Sequence, residues 1–600
     1  MDVNDDIKKL TQQWLDWDKN ESSKSQIENI YKLEDWVELR KIMMKRLEFG
    51  TAGIRGRMGP GFGQMNDLVI IQVTQGLRSY LQKTDLEIKT KGIVFGYDGR
   101  HNSRRWATLS AGVFLRENIP VYLFNTTTPT PFIPFTITKL GCSAGVMVTA
   151  SHNPKWDNGY KVYWSNGAQI LSPIDKHIQE EILLNLKPEE NAFTEPADDH
   201  HLLRDPMDQV YDPYFDVIKN GVYNLERNSN LDIPIVYTAM HGVGDPYVHQ
   251  AWKSAGFKET TLHSVEEQSD PDPEFSTVDF PNPEEGASAL DLSFQKANRI
   301  GAKYILANDP DADRLGVAQK TEDGWKILSG NELGALFGWW IITNYKEKNP
   351  NADMSKVHCM ASTVSSKVLH TICQAEGAVF TETLTGFKHM GNKAHKVMVE
   401  GETVLFAFEE AIGFMCGSAV LDKDGVSAAA VMGQLIAYLE PQKLTLLDQL
   451  ETIYINYGYH CTLNSYYLCY EPPTTDKIFK RIREFKSLPN TYPEELGGVK
   501  VTNVRDLTTG FDSKQPDQRA ILPTSRSSHM ITFWLENGIV ITLRTSGTEP
   551  KLKYYTEYCA KPGQPKESWI ELEEELIRIV QDTVESLLQP AVHHLKPKPN

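Results

Sequence analysis

Cysteine is scarce and scattered. The seven cysteines (Cys142, Cys359, Cys373, Cys416, Cys461, Cys469, Cys559) are odd in number and form no C-x-x-C pair. That pattern fits reduced thiols in the cytosol better than a disulfide framework or a zinc site. Long apolar runs are missing as well: none approaches the ~20 residues that span a bilayer. The N-terminus, Met1-Asp-Val-Asn-Asp-Asp-Ile-Lys-Lys9, has no apolar signal-peptide region. Positive charge is in deficit, with 62 Lys and Arg against 79 Asp and Glu and a net charge of −17. Nucleic acid and anionic membrane are therefore excluded as main partners, and an anionic substrate must be held by a local basic cluster. The Gly-rich stretch Met58-Gly-Pro-Gly-Phe-Gly63 matches neither the P-loop nor the dinucleotide fingerprint, so ATP and NAD are not implied. A soluble cytoplasmic protein is expected.

At 600 residues with 40% hydrophobic content, the chain is too long for one core and calls for several domains of ~100–200 residues. Residues 6–48 read as a helical lead-in. A βαβ rhythm follows: strands at 92–97, 121–124 and 145–148, with a helix at 104–117. A second cycle runs from a strand at 233–237 through a helix near 246–255 to a strand at 303–307. A third has helices at 331–345 and 365–376 and strands at 357–361, 378–382 and 403–408. After about residue 460 longer alternating strands such as 530–534 and 539–543 appear, closed by a helix over 568–588. The expected fold is α/β: three similar α/β domains (1–205, 206–328, 329–458) and a C-terminal α+β domain (459–600). Pro188–Pro206 and Pro271–Glu285 read as linker or surface loops, and the tail from His593 as frayed.

Four stretches carry chemistry. Val148-Thr-Ala-Ser-His-Asn-Pro-Lys155 places Ser151 just past a strand end, where ligands gather in open α/β sheets. Adjacent side chains diverge on a strand or turn, so His152 is not expected to activate Ser151 as in acyl transfer. Asn308-Asp-Pro-Asp-Ala-Asp-Arg314 has carboxylates at alternate positions. On an extended loop Asp309, Asp311 and Asp313 face one side and can converge on one hard cation, for which Mg²⁺ is suited. Arg544-Thr-Ser-Gly-Thr548 puts a fork donor, hydroxyls and backbone N–H groups in a turn between strands, an anion-binding constellation. Glu409-Glu410-Ala411 ends an apolar strand. A nucleophilic serine with a compact carboxylate cluster points to metal-assisted phosphoryl transfer; no nucleophile elbow surrounds Ser151 to support a serine hydrolase.

In this order the motifs resemble the α-D-phosphohexomutase family, in its phosphoglucomutase-2 / phosphopentomutase branch. The resemblance runs from Phe49-Gly-Thr-Ala-Gly-Ile-Arg55 to Tyr554-Tyr555, nearly the whole chain. It implies four domains around one central cleft, and Ser151 as the residue phosphorylated in the resting enzyme. Asp309, Asp311 and Asp313 would bind Mg²⁺, with the Ser151 phosphate completing the shell. Arg314 and Arg55 would lie at the reactive phosphate, and Lys161 with His152 would transfer protons. Thr385, Gly386, Phe387 and Lys388 resemble the loop that reads which end of the sugar faces inward. Glu409 would bind sugar hydroxyls, Lys423 would flank the same cleft, and Arg544, Ser546, Gly547 and Thr548 would grip the distal phosphate, with Lys551 and Ser525-Arg526-Ser527 adding to it. Two departures stand out: Ala411 replaces a usual serine, and Lys155-Trp156 replaces a Gly-rich run. The implied activity interconverts sugar 1-phosphates with 5- or 6-phosphates, with small phosphosugars as partners and a sugar bisphosphate as activator. The alternatives are a glucose-1,6-bisphosphate synthase using 1,3-bisphosphoglycerate and, more remotely, a non-catalytic phosphosugar-binding regulator. No protein partner is implied.

Overall fold

Hydrophobic periodicity is realised as four groups of elements in a computed structural model that describes residues 3–50, 53–285, 287–525, 528–546 and 550–598. The chain divides into two compact units. The first comprises Met1–Leu333, Trp340–His358 and Gly386–Thr445; the second comprises Gly334–Trp339, Cys359–Thr385 and Leu446–Asn600.

In the first unit the lead-in forms three helices, Val3–Trp17, Glu21–Lys32 and Trp36–Met43. Asn20 and Asp35 cap the second and third by accepting from backbone N–H groups in the first turn. Trp14, Ile27, Leu39 and Ile42 bury one face of the bundle around Phe62, so the amphipathic pattern is spent on a small core of its own.

Next comes a six-stranded sheet in the order Gly53–Arg57, Asp157–Trp164, Ala144–Val148, Ile93–Tyr97, Val121–Leu123, Leu203–Arg204. The central strands are parallel, and Tyr97 lies opposite Val148 at their C-terminal ends. The strand Asp157–Trp164 turns back antiparallel, pairing Lys161 with Met147 on one side and with Gly53 on the other. The Pro188–Pro206 stretch is more than a linker, because Leu203 and Arg204 pair with Val121 and Tyr122 and so extend the sheet. A second, five-stranded sheet is centred on Tyr304–Ala307, parallel to Ile235–Thr238 and antiparallel to Gly316–Thr321. Farther on, Thr403–Glu409 and Gly413–Cys416 form an antiparallel hairpin flanked in sequence by the helices Phe387–Val399 and Gly425–Leu439.

The second unit carries the C-terminal sheet, whose strands run Glu495–Leu496, Val499–Asp506, Met530–Leu535, Val540–Thr545, Lys551–Cys559, Ser465–Leu468, Lys596–Pro597. All of these pairs are antiparallel. The helix Trp569–Thr583 buries Leu576, Ile579 and Val580 in the same core and continues into a π-turn at Val584–Leu588. The expectation of a frayed tail is corrected: Leu595 is buried, and Lys596 and Pro597 pair with Leu468 and Tyr467. Pairing with an edge strand satisfies backbone groups that composition alone leaves out of account. Among the described residues, no helix is long and apolar enough to cross a membrane.

Candidate functional site

Ser151 occupies the turn after Ala144–Val148 with φ of +54°, a left-handed conformation that costs a non-glycine residue roughly 1–2 kcal/mol. The turn is held from beneath. Arg100 donates from Nη1 to the carbonyls of Pro154 (2.9 Å) and Asp157 (3.2 Å), and from Nη2 to those of Ser151 (2.5 Å) and Asn153 (2.6 Å). Asp98 lies 3.3 Å from Arg100 Nε and accepts from Thr149 Oγ1 (2.6 Å) and Ser103 Oγ (2.7 Å). Thr149 in turn accepts from the Ser151 backbone N–H at 2.8 Å.

The strained turn aims the Ser151 side chain at the acidic loop: Ser151 Oγ donates to Asp309 Oδ2 at 2.6 Å. It also brings Ser151 Oγ to 3.2 Å from His152 Nδ1. The expectation that these two side chains diverge is therefore overturned; the positive φ turns the chain so that neighbours meet. His152 is half-buried, and burial with the nearby charges of Arg314 and Arg55 pushes its pKa well down, so the imidazole is neutral. Arg55, on Gly53–Arg57, donates to Asn153 Oδ1 at 3.1 Å and so reaches the same loop.

Asp309, Asp311 and Asp313 are all buried, and their ligand oxygens lie within 4.8 Å of one another. The loop is not extended, as the alternate spacing suggested. It closes as a turn, with Ala312 N–H donating to Asp309 O at 2.8 Å and Ala312 at φ of +53°. Lys161 donates to Asp311 Oδ2 at 2.6 Å and to Asp313 Oδ2 at 3.1 Å, while Thr130 donates to Asp311 Oδ2 at 2.6 Å. Asp311 Oδ1 and Asp313 Oδ1 are buried and accept no hydrogen bond.

Three carboxylates this close cannot all be ionised without a compensating charge. Burial and the charges of Asp311 and Asp313 push the Asp309 carboxyl well above its usual range. Burial opposes ionisation of Asp313 too, but Lys161, Lys423 and Arg314 outweigh it and hold that carboxyl low. Burial works against the Lys161 ammonium, and the two aspartates overcome it, so its pKa is raised. Two orphaned oxygens in an all-oxygen donor set fit a hard divalent cation such as Mg²⁺, bound by the three aspartates.

Lys423 completes this side, its Nζ lying 3.2 Å from Asp313 Oδ2 and 5.5 Å from the Phe387 ring centroid. Glu409 and Lys423 share the space over Gly413, where an added Cβ would lie 2.3 Å from Lys423 Cδ and 3.1 Å from Glu409 Cγ. Arg314 reaches the same hairpin through a bridge to Gly413, and its Nη1 lies 3.1 Å from Glu284 Oε2. Burial, reinforced by Glu410 and opposed by Lys423, pushes the Glu409 carboxyl up to about 7. Gly386, Phe387 and Lys388 begin the helix Phe387–Val399 in this unit, with Gly386 at φ of +98°.

Thr385 and the expected distal-phosphate residues belong to the second unit. There Arg544 pairs with Met530 and Lys553 at the end of Val540–Thr545, and Ser546 N–H donates to Lys551 O at 2.8 Å. Gly547 and Thr548, with Arg526 and Ser527, lie outside the described residues.

The first unit thus brings together Arg55, Ser151, His152, Lys161, Asp309, Asp311, Asp313, Arg314 and Lys423. Arg100, Asp98 and Thr130 were missed. A signal for the first two was present: Asp98-Gly-Arg100 directly follows Ile93–Tyr97, at the sheet end where Tyr97 meets Val148. For Thr130 there was none, since its partner Asp311 is 181 residues away.

Profiles described as Phosphoglucomutase/phosphomannomutase, alpha/beta/alpha domains I, II and III match residues 46–188, 212–324 and 329–455. The chain is 49% identical over 597 residues to phosphopentomutase of Homo sapiens, covering 98% of this chain and 97% of the relative. It is also 49% identical over 592 residues to glucose 1,6-bisphosphate synthase of Homo sapiens, covering 97% and 94%. Among solved structures, the open form of the phosphoglucomutase parafusin from Paramecium shares the fold with a TM-score of 0.62 at 19% identity, over 90% of this chain and 96% of that one. With three consecutive domain matches and relatives of this similarity along nearly the full length, the chain belongs to the α-D-phosphohexomutase family.

Proposed function

We propose that the protein is a phosphosugar mutase interconverting sugar 1-phosphates with 5- or 6-phosphates, acting on ribose, deoxyribose and glucose phosphates through phospho-Ser151 and a sugar bisphosphate. The observation that carries this reading is the contact of Ser151 Oγ with Asp309 at the edge of three buried carboxylates, two of whose oxygens lack partners. In the first half-reaction the bond from phosphorus to Ser151 Oγ breaks as one forms to the free sugar hydroxyl, whose proton passes to His152, with the Lys161 ammonium beside it lending positive charge. The bisphosphate then reorients, and Ser151 takes the other phosphoryl group. Mg²⁺ held by Asp309, Asp311 and Asp313 would supply charge neutralisation at the phosphoryl oxygens.

Arg55 and Arg314 hold the reacting phosphate, and Glu409 accepts from sugar hydroxyls with Lys423 beside it. Thr385, Gly386, Phe387 and Lys388 orient the sugar, and Arg544, Ser546, Gly547 and Thr548 clamp the distal phosphate. Positioning and electrostatics then carry most of the catalysis. A sugar bisphosphate of the glucose 1,6-bisphosphate type would act as activator by recharging Ser151. Domain limits near 205, 328 and 458 and a cytosolic location belong to the same reading, the latter in keeping with seven free thiols.

One finding favours a second reading. The mutase-named and synthase-named relatives are equally similar at 49%, which supports glucose-1,6-bisphosphate synthesis from 1,3-bisphosphoglycerate as the competing activity. The deciding test of the carrier is mass spectrometry after incubation with glucose 1,6-bisphosphate. A phosphoryl group on Ser151, with turnover abolished in Ser151→Ala, is expected. An unmodified Ser151 in an active enzyme rejects the mechanism.

A further inference from the structure

The second unit contains a cavity of about 420 Å³, within the size range of small-molecule sites. Lys367, Phe380 and Glu382 line one side; Arg505, Lys514 and Trp534 line the other. Its charges are unevenly matched. Glu382 is already engaged, accepting from Arg505 Nη2 at 2.9 Å and from Thr363 Oγ1, with Lys367 Nζ 3.7 Å away. Arg505 Nε, in contrast, is buried without an acceptor. The Lys514 ammonium sits 3.6 Å from the Trp534 ring centroid, and Arg505 Cζ lies 5.2 Å from the same ring. Among the described residues Lys514 has no carboxylate within ion-pair distance, and the Gln515 side-chain amide has no hydrogen-bond partner. A guanidinium donor and an ammonium held together over an aromatic wall, each short of an acceptor, form a receptor for an anion.

This cavity is not the place where Arg544 acts. On the hairpin of Met530–Leu535 and Val540–Thr545, Arg544 pairs with Met530 at one end and Trp534 pairs with Val540 at the other. Four residues of strand separate them by about 13 Å.

We propose that the cavity bounded by Arg505, Lys514 and Trp534 is a second binding site, for a small phosphate monoester. The dianionic phosphate meets Arg505 Nε and the Lys514 ammonium, the carbon skeleton lies against Trp534 and Phe380, and hydroxyls reach Gln515. The volume leaves room for a skeleton of several carbons.

The test uses the full chain and glycerol 2-phosphate as probe, titrated by calorimetry into the wild type, Arg544→Ala, Lys514→Glu and the double variant. Among the described residues Lys514 makes no ion pair or side-chain hydrogen bond and is tied only by its contact with Trp534, so reversing its charge leaves the fold intact; a small drop in thermal stability and unchanged mutase turnover without the probe are expected. Binding should persist in Arg544→Ala and weaken about ten-fold or more when Lys514→Glu is added. A Gln515→Ala variant should weaken it by a smaller factor. Affinity unaltered by Lys514→Glu, or no binding left in Arg544→Ala, overturns the proposal. Neither result bears on phosphorylation of Ser151, so the two readings fail separately.

Discussion

Ser151 can face the acidic loop only because its backbone is held in a conformation that a serine disfavours, and Arg100 is the residue that holds it. Four carbonyls of residues 151–157 converge on one guanidinium whose charge is matched by Asp98. Truncating one partner of such a buried set costs about 3–5 kcal/mol. Arg100→Ala should therefore lower the melting temperature and cut the rate of Ser151 phosphorylation together, whereas Arg100→Lys should recover stability better than rate because it lacks the fork. A variant as active as the wild type would show that the loop needs no support from below.

Burial brings the carboxyl of Glu409 into the range where it titrates near neutrality. With its carboxyl pushed up to about 7 against an ordinary 4.5, it loses its charge as pH falls through 7, and with that the charge-assisted acceptance from sugar hydroxyls that the proposed reading gives it. We expect kcat/KM to decline on the acid side with an inflection there, absent in Glu409→Gln. The stability linkage has the opposite sense: the folded state binds the proton more tightly, so this contribution is complete below pH 4.5 and is lost as pH rises through 7. An acid limb unchanged in Glu409→Gln would assign it to another group.

Among elements, the acidic loop is the one whose clustered carboxylates could hold a metal ion. Its turn brings Asp309, Asp311 and Asp313 together beside the cations Lys161, Lys423 and Arg314. Exhaustive chelation should silence turnover, and Mg²⁺ should restore it. Ca²⁺ should restore it poorly, because longer bonds and looser geometry misplace the phosphoryl group. Full activity after chelation would remove the metal from the mechanism. The elements themselves were largely legible in the sequence. The strands Ile93–Tyr97, Ala144–Val148, Tyr304–Ala307 and Thr403–Glu409 are buried apolar runs, which mark themselves wherever both faces of a sheet are covered. Short pairings were not legible: Leu203–Arg204 and Lys596–Pro597 are two residues each. Such strands carry no periodicity, and only their partners define them.

For the whole molecule, the question is which sugar phosphate is handled and by which activity. The chain bears a net charge of −17, so on the proposed reading an anionic substrate would be drawn in by Arg55, Lys161, Arg314 and Lys423 locally and not by the overall field. On the proposed reading, Ala411 in place of the serine that the family resemblance leads one to expect would remove one hydroxyl contact to the sugar. A site with fewer buried polar groups to leave unpaired discriminates less against substrates lacking a hydroxyl or a carbon. Ribose 1-phosphate and deoxyribose 1-phosphate should be turned over at least as well as glucose 1-phosphate, and Ala411→Ser should shift the kcat/KM ratio toward the hexose. Measured on one preparation, net bisphosphate formation from glucose 1-phosphate and 1,3-bisphosphoglycerate that outpaces every mutase rate would favour the synthase reading.

The sequence by itself determined the family, the order of domains and the identity of the groups that meet: a serine after a strand, three aspartates after another, and the basic residues Arg55, Lys161, Arg314 and Lys423. These are local properties, written in runs and spacings of a few residues. It did not determine how the groups meet. The 2.6 Å contact of Ser151 with Asp309 spans 158 residues, and that of Lys161 with Asp311 spans 150. The approach of His152 to Ser151 depends on one positive φ, and the pKa of Glu409 on burial by a hairpin. Only the tertiary structure decided these, because backbone strain and desolvation are imposed by neighbours that packing, and not chain order, brings close.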